Sequence, residues 1–597
     1  MSERTNESRP SLTADGRTIR YGSYPELTWA AIGVGWILGI LIAVSIAYAA
    51  LLLGFSIEGS ELAAILGWGI LRGVMRRTSI IENNINQTIA SAVNGASAGM
   101  MFSLVALFIL ASEEQPLPGA EMFTQFNPVV VVLACIAGGV LGLVFVIPLR
   151  KQMIDFDRLA YPGGIAVAAI LRSPGAGTRK AVLLLCGGIF AALMKLFFDW
   201  VTGEADPELP VGKYLGLPPY LNITFALSVM TIGVGYLSGK GGFWFGVGGF
   251  ICYWLLAPLL AVFGQGEVAQ WMDNAGKLRG ELFRPTGIGM LVGAAIGGVI
   301  GALPLMISAI RSLHDASRSG QHQDAEELPA WSLYLGILLS AVVLGVCCWY
   351  VVPSLTPVRT LVMTALGTVW VWIAGVIVSE CVGRTNWNPL SGMTLIAVTL
   401  LLVIAIRGTT TVPAILAAVV LGTAICVAIA QAGDMMLDLK SGYLVGAVPR
   451  RQQIAQFIGA WLGPVVVMVV MYALHKHYVL GSKQLPAAQG TALATVLKGI
   501  AQNDIPAYRY LAGSGLGGVL ALSGLGGIGV LIGLGFYMPF AIVLTYTLGN
   551  ILRVVSDRWL GKEFGHETGV PIAAGFIVGE ALIGVGMALV KIGNMLF

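Results

Sequence analysis

The chain has 597 residues, of which 56% are hydrophobic and only 11% charged, against about 25% charged in an ordinary soluble protein. So few charges cannot cover the surface of a water-soluble globule, and a disordered chain or a nucleic-acid binder is excluded on the same ground. The net charge of +4 is small, so its placement along the chain says more than its sum.

A membrane-crossing helix needs about 20 apolar residues. The chain offers about sixteen such runs: 29–53, 61–76, 83–111, 129–149, 180–201, 221–239, 242–263, 286–311, 331–352, 358–379, 392–406, 410–432, 453–474, 513–535, 537–555 and 570–594. They lack the alternation of outer-membrane strands. The expected fold is therefore an all-α polytopic integral membrane protein of about 16 transmembrane helices.

The polar tail 1–28 carries Arg4, Arg9, Arg17 and Arg20. No small-residue cleavage signal follows its first apolar run, so it reads as a retained tail and not a signal peptide. With this tail inside, 20 lysines and arginines fall in inner loops and 13 in outer ones, which favours a cytoplasmic N-terminus. The seven cysteines show no CxxC spacing and read as small apolar residues. No cofactor, metal or ATP-driven chemistry is expected. No P-loop is present, and the glycine runs at 513–535 lie in apolar sequence, as in close helix packing.

Two segments are too short to cross. Tyr161–Leu171 and Gly490–Leu497 read as re-entrant half-helices opened by Pro or Gly, or as amphipathic helices on the surface. Irregular backbone cannot face lipid, so re-entrant segments must line an enclosed cavity. Their offset of roughly 325 residues, with the pairing of 29–53 with 358–379 and 129–149 with 453–474, suggests an internal, inverted repeat. The division is a tail at 1–28, one repeat at 29–285, connecting helices at 286–352 and a second repeat at 353–597. Inverted repeats with interrupted helices point to a secondary transporter.

The densest polar cluster in apolar sequence is Glu82, Asn83, Asn84, Asn86, Gln87, Thr88, Ser91 and Asn94. So many amides are costly against lipid. They line a substrate path or join helices by hydrogen bonds. A second cluster holds Asp434, Asp438, Lys440 and Tyr443, followed by Arg450 and Arg451. The two aspartates share a helix face, and the segment is otherwise a solvated inner loop. A third, from Glu380 to Gly392, contains Asn386, Asn388 and Ser391. It either lines a pathway or forms a cytoplasmic turn capping the next helix at Ser391. Proton coupling needs an occluded carboxylate. Glu82 comes first, Asp438 next, then Asp434, Glu380 and Glu580. Glu580 is otherwise a buried acid paired with Lys591 or a backbone donor. Lys195 and Asp199 are expected to pair at i,i+4.

The segments Ile81–Ala92, Tyr161-Pro-Gly-Gly, Thr385–Thr394 and Asp438–Gln453 together resemble the oligopeptide transporter (OPT) superfamily. The resemblance covers nearly the whole chain beyond about residue 25. NPG and KIPPR-type motifs of the fungal and plant peptide branch are absent from the sequence. The motifs look closer to the yellow stripe-like branch and to prokaryotic members. The resemblance implies about sixteen spans and proton symport of short peptides or metal chelates of amino-acid-derived ligands, in a bacterial cytoplasmic membrane. The expected substrate-binding set is Glu82, Asn83, Asn84, Asn86, Gln87, Asn94, Tyr161, Gly163, Gly164, Asn386, Asn388 and Tyr443.

The function expected is import by alternating access, with the lipid bilayer, a peptide or metal-chelate substrate and protons as partners. It is not an enzyme. The rivals are an integral-membrane enzyme acting on a lipid-linked substrate, and an ion-translocating channel or pump. His475 and His477, the nearest histidine pair, are thin grounds for a metal site.

Overall fold

The computed structural model describes residues 24–596 except 55–58, 114–116, 173, 203–206, 264–271, 273–274, 295, 299, 301–326, 386–387, 389, 503–506 and 524–527, together with 11–12 and 18–19. Helix starts follow local chemistry. Thr28 accepts the Ala31 N–H at 3.1 Å and opens α1 (Trp29–Leu53). Ser79 accepts the Glu82 N–H at 3.2 Å and opens α3 (Ile80–Ala111), and Asn127 with Pro128 opens α4 (Pro128–Val146). Each cap satisfies a backbone donor that has no partner within its helix.

Among the described residues, eleven helices are long and apolar enough to cross a bilayer. Besides α1, α3 and α4 they include α6 (Pro174–Thr202), α8 (Phe243–Phe263), α9 (Ala330–Val351), α10 (Pro357–Thr385), α12 (Thr411–Val445), α13 (Pro449–Tyr478), α17 (Phe540–Trp559) and α18 (Val570–Leu596). The shorter α2 (Ser60–Gly67), α5 (Pro162–Leu171), α7 (Val229–Ser238), α11 (Leu390–Ala405), α14 (Ala488–Gln502), α15 (Ala507–Leu522) and α16 (Ile528–Tyr537) fill the bundle between them. The architecture is an all-α polytopic membrane protein.

The centre of the bundle is the pair α3 and α12, whose apolar membrane-crossing stretches are each 94% buried. Helix α4 packs on α12 and α1 on α3. Small residues set these distances: a side chain at Gly138 or Gly142 would strike the Ala424 or Ala428 carbonyl of α12, as expected where packing replaces hydrophobic drive. At the rim, α9 leaves Leu338, Leu339, Val342 and Val346 exposed, with Trp331 and Tyr334 at one end and Trp349 and Tyr350 at the other. Such aromatic residues sit at membrane–water interfaces.

Several expected boundaries move. The run 221–239 is helical only from Val229, because Glu208–Leu209 pairs with Phe225–Ala226 as a two-stranded ribbon ahead of it. The run 513–535 is two helices, α15 and α16. The run 410–432 continues to Val445, so the Asp434–Tyr443 segment is helix and not loop. The run 61–76 is an eight-residue helix followed by the π-helical turn Trp68–Val74.

Two long helices give way to short ones inside the bundle. Helix α1 ends at Leu53, and a side chain at Gly59, just before α2, would come within 2.9 Å of Ile42 and Asn94, halfway along α1 and α3. Helix α10 ends at Thr385, and Asn388, just before α11, stands 2.7 Å from where a Gly433 side chain would begin. Gly433 lies twelve residues, or about 18 Å, from the C-terminal end of α12. Asn388, half-buried with its Oδ1 buried, therefore stands deep along α12 rather than in a surface turn. Ser391 lies inside the first turn of α11 and does not cap it.

Candidate functional site

Each turn of α3 between Ile81 and Asn94 presents amides or hydroxyls, and the structure buries all of them. Asn83 Nδ2 donates to the Ala64 carbonyl at 3.0 Å, and Asn86 Nδ2 to Asn83 Oδ1 at 3.0 Å. These two side chains hold α2 against α3. Their neighbours face α12. Gln87 Nε2 donates to Asp438 Oδ1, which also lies 3.2 Å from Ser60 Oγ. Ser441 Oγ lies 3.1 Å from Asn84 Oδ1, and Gln452 Nε2 donates to Thr88 Oγ1 at 3.0 Å and to the Asp438 carbonyl at 2.5 Å. Asp438 thus joins α2, α3, α12 and α13.

Further along the same crossing, Gln431 Nε2 donates to the Ala92 carbonyl at 2.6 Å. Asp434, half-buried, approaches Gly95 of α3: a side chain there would meet Asp434 Oδ2 at 2.9 Å. Asn388 reaches the same stretch of α12 through Gly433. The amide cluster, the aspartate cluster and the Asn388 segment, which lie up to some 350 residues apart in sequence, thereby converge. Asn84 Nδ2, Gln87 Oε1, Asn94 Oδ1 and Asn388 Oδ1 are buried there without a hydrogen-bond partner. Buried polar groups are normally satisfied, so such a set marks a place able to receive a polar solute or water.

The remaining expected residues lie apart from this crossing. Glu82 is buried and bonded by Arg77 and Thr28 at the start of α3. Tyr161, fully buried, donates its hydroxyl to the Ser379 carbonyl at 3.0 Å, and its N–H to Gly383. Gly164 lets α5 touch α12, since a side chain there would stand 2.6 Å from the Leu437 carbonyl; Gly163 is the buried residue beside it. Lys440 Nζ donates to the Leu159 carbonyl at 2.8 Å and lies 5.7 Å from the Tyr443 ring. Glu380 is buried near the end of α10. Glu580 accepts from Ser228 Oγ and the Met230 N–H, both at 2.7 Å, at the start of α7; this is the backbone-donor pairing. Lys195 and Asp199 do pair, at 3.1 Å. Asn386 lies outside the described residues.

Sequence reasoning missed Ser60, Gln431 and Gln456 as network members. Gln456 Nε2 donates to Gln431 Oε1 at 3.4 Å. A lone glutamine in an apolar run was the available signal.

Comparison with known proteins fits this geometry. The family model described as OPT oligopeptide transporter protein matches residues 26–591. The chain belongs to the OPT oligopeptide transporter family. A Haemophilus influenzae relative, bearing the name of a candidate oligopeptide transporter, is 26% identical over 616 aligned residues. The alignment covers 91% of this chain and 92% of that one. A Saccharomyces cerevisiae protein of similar name is 30% identical over 150 residues, covering 25% of this chain and 20% of the other. In this OPT chain the four motif segments that carry the resemblance map onto α3, the head of α5, the α10–α11 break and the C-terminal end of α12 with the start of α13.

Proposed function

We propose that this OPT chain imports short peptides by proton symport, alternating access around the crossing of α3 and α12. The observation that carries it is the convergence of amides and one half-buried carboxylate at that crossing, flanked by the two helix breaks. Unsatisfied amides offer both donors and acceptors to a peptide backbone. Interrupted helices are where secondary transporters place their sites.

Asp434 is the coupling carboxylate on this reading. Glu82, Asp438 and Glu580 are each engaged by hydrogen bonds from neighbouring helices or side chains. Asp434 makes no hydrogen bond among the described residues and is half-buried at the crossing. It can therefore exchange a proton without dismantling the packing.

The division into repeats at 29–285 and 353–597, joined by 286–352, belongs to the same proposal. So does a cytoplasmic N-terminus in a bacterial inner membrane. Lys180 pairs with Glu567 at 2.8 Å, so Arg553, Arg558 and Lys562 lie at the same end of the bundle as Lys180. Three basic residues thereby join the side the positive-inside rule assigns to the cytoplasm.

Proteoliposomes holding the full chain, given an inward proton gradient and labelled trialanine, test the proposal. Wild type accumulates the peptide only with the gradient. Asp434→Asn keeps peptide exchange at equal concentration but loses gradient-driven accumulation. Undiminished accumulation by that variant removes Asp434 from coupling, and no accumulation by folded wild type removes peptide symport.

A further inference from the structure

An open cleft of about 860 Å³ lies where the chain enters α1. Residues 24–28 form one side, and Arg450, Arg451 and Ile454 of α13 form the other. The strap 24–28 is held at three points. Tyr24 donates its hydroxyl to the Gly446 carbonyl at 3.0 Å, Glu26 accepts the Val448 N–H at 3.3 Å, and Thr28 donates to Glu82. The cleft is therefore a built feature of the fold.

Its lining holds two arginines and one acid. The Glu26 side chain is fully buried, with one oxygen on the Val448 N–H and the other 3.5 Å from the Arg451 guanidinium. Arg450 is exposed and makes no hydrogen bond or ion pair among the described residues. The acid is engaged within the fold, and the open face carries one cation in excess. The planar fork of an arginine matches the oxygens of a phosphate.

An apolar furrow leads from the cleft into the bilayer. On α13, Arg450, Ile454, Trp461 and Val465 share one face at helical spacing, and Trp461 and Val465 are exposed. On α1 the exposed Trp29 and Ile40 flank Gly33, where a side chain would meet nothing within 4 Å. Trp36 joins the two helices: its Nε1 donates to the Ile458 carbonyl at 3.0 Å, and its ring meets Trp461 edge-on at 6.1 Å. From Arg450 to Trp461 the helix rises about 16 Å. That is close to half of a hydrocarbon core about 30 Å thick, the depth of one leaflet. The exposed Trp29 suits the membrane–water interface between them.

We propose that the cleft and furrow bind one anionic phospholipid, its phosphate on Arg450 and Arg451 and an acyl chain along Gly33 and Trp461. Basic residues at a membrane surface attract anionic lipids without fixing them. The furrow is what gives this lipid a place. The site does not depend on which solute the chain carries.

Native mass spectrometry of the full chain in neutral detergent, titrated with phosphatidylglycerol or phosphatidylcholine of equal chain length, tests this. The first phosphatidylglycerol binds about fivefold more tightly than phosphatidylcholine, the gain expected of one arginine at an anionic headgroup. Arg450→Gln removes that preference, and Arg450→Lys keeps most of it. Gly33→Trp fills the furrow without touching a charge, melts as wild type does and binds both lipids more weakly. Glycerophosphoglycerol, the same headgroup without chains, and inorganic phosphate do not displace the lipid. Equal affinity for the two lipids in wild type, an undiminished preference in Arg450→Gln, or unchanged binding by Gly33→Trp each overturns the proposal. Displacement by either chainless phosphate at matched concentration makes the cleft a soluble-anion site and overturns the lipid assignment.

Discussion

Tyr161 and Ala487 share one backbone conformation, with φ of 47° and 45°, and each donates its N–H to a carbonyl two residues before the end of a long helix. Tyr161 donates to Gly383 of α10 at 2.8 Å, and Ala487 to Leu51 of α1 at 2.9 Å. Each stands immediately before a short helix, α5 or α14. Each therefore ties that helix to a long helix just ahead of its break. The two residues are 326 apart, which is the relation the proposed repeat produces.

Left-handed backbone costs a residue with a side chain roughly 1–2 kcal/mol. Ala487→Gly relieves that cost and keeps the bond to Leu51, so its thermal unfolding in detergent stays level with or above wild type. Ala487→Val adds a β-branched side chain and lowers the midpoint by several degrees. Equal midpoints for the glycine and valine variants would count against strain at this joint.

Asp438 accepts from Gln87 and Ser60 on two other helices. Asp438→Asn keeps an acceptor oxygen there and loses little stability. Asp438→Ala strands two buried donors, at about 1–3 kcal/mol for each, and unfolds at clearly lower temperature. Identical melting of the two variants shows that the side-chain oxygen is not the joint.

Glu580 takes the Met230 N–H and the Ser228 hydroxyl at the start of α7. Glu580→Gln retains one acceptor and gradient-driven peptide uptake. Glu580→Ala loosens α7, and hydrogen exchange at its first turn rises. Loss of uptake in the glutamine variant, with exchange unchanged, would instead give Glu580 a coupling role.

Lys195 is 3% exposed and bonded to Asp199. Lys195→Met leaves the aspartate without its cation, at a cost of about 3–5 kcal/mol for a broken buried pair. Adding Asp199→Leu restores most of the thermal stability. A double variant no more stable than the single one excludes the pair as the cause.

The amide stripe of α3 was legible because polar residues repeating through an apolar run have few tolerable positions in a membrane. The helical state of Asp434–Tyr443 was not. Two aspartates and a lysine read as a solvated loop when their partners are unseen. Those partners are Gln87, Ser60 and the Leu159 carbonyl, hundreds of residues earlier. Asn388 was legible as a polar residue but not as one placed deep along α12 with its oxygen buried, since its neighbour there is a glycine and leaves no polar signal. The split of 513–535 into α15 and α16 was hidden by unbroken hydropathy.

Because α3 draws its polar partners from α12 and α13, its insertion and its final packing are separated in time. Ile81–Asn94 enters the bilayer some 340 residues of synthesis before Gln431, Asp438 and Gln452 exist to receive its amides. Until then, among the described residues, α2 engages those amides and hydroxyls through Ser60 and the Ala63 and Ala64 carbonyls. The short helix α2 thus acts during biogenesis as the resident escort of the amide stripe, and chains truncated before α12 leave that stripe exposed to membrane quality control.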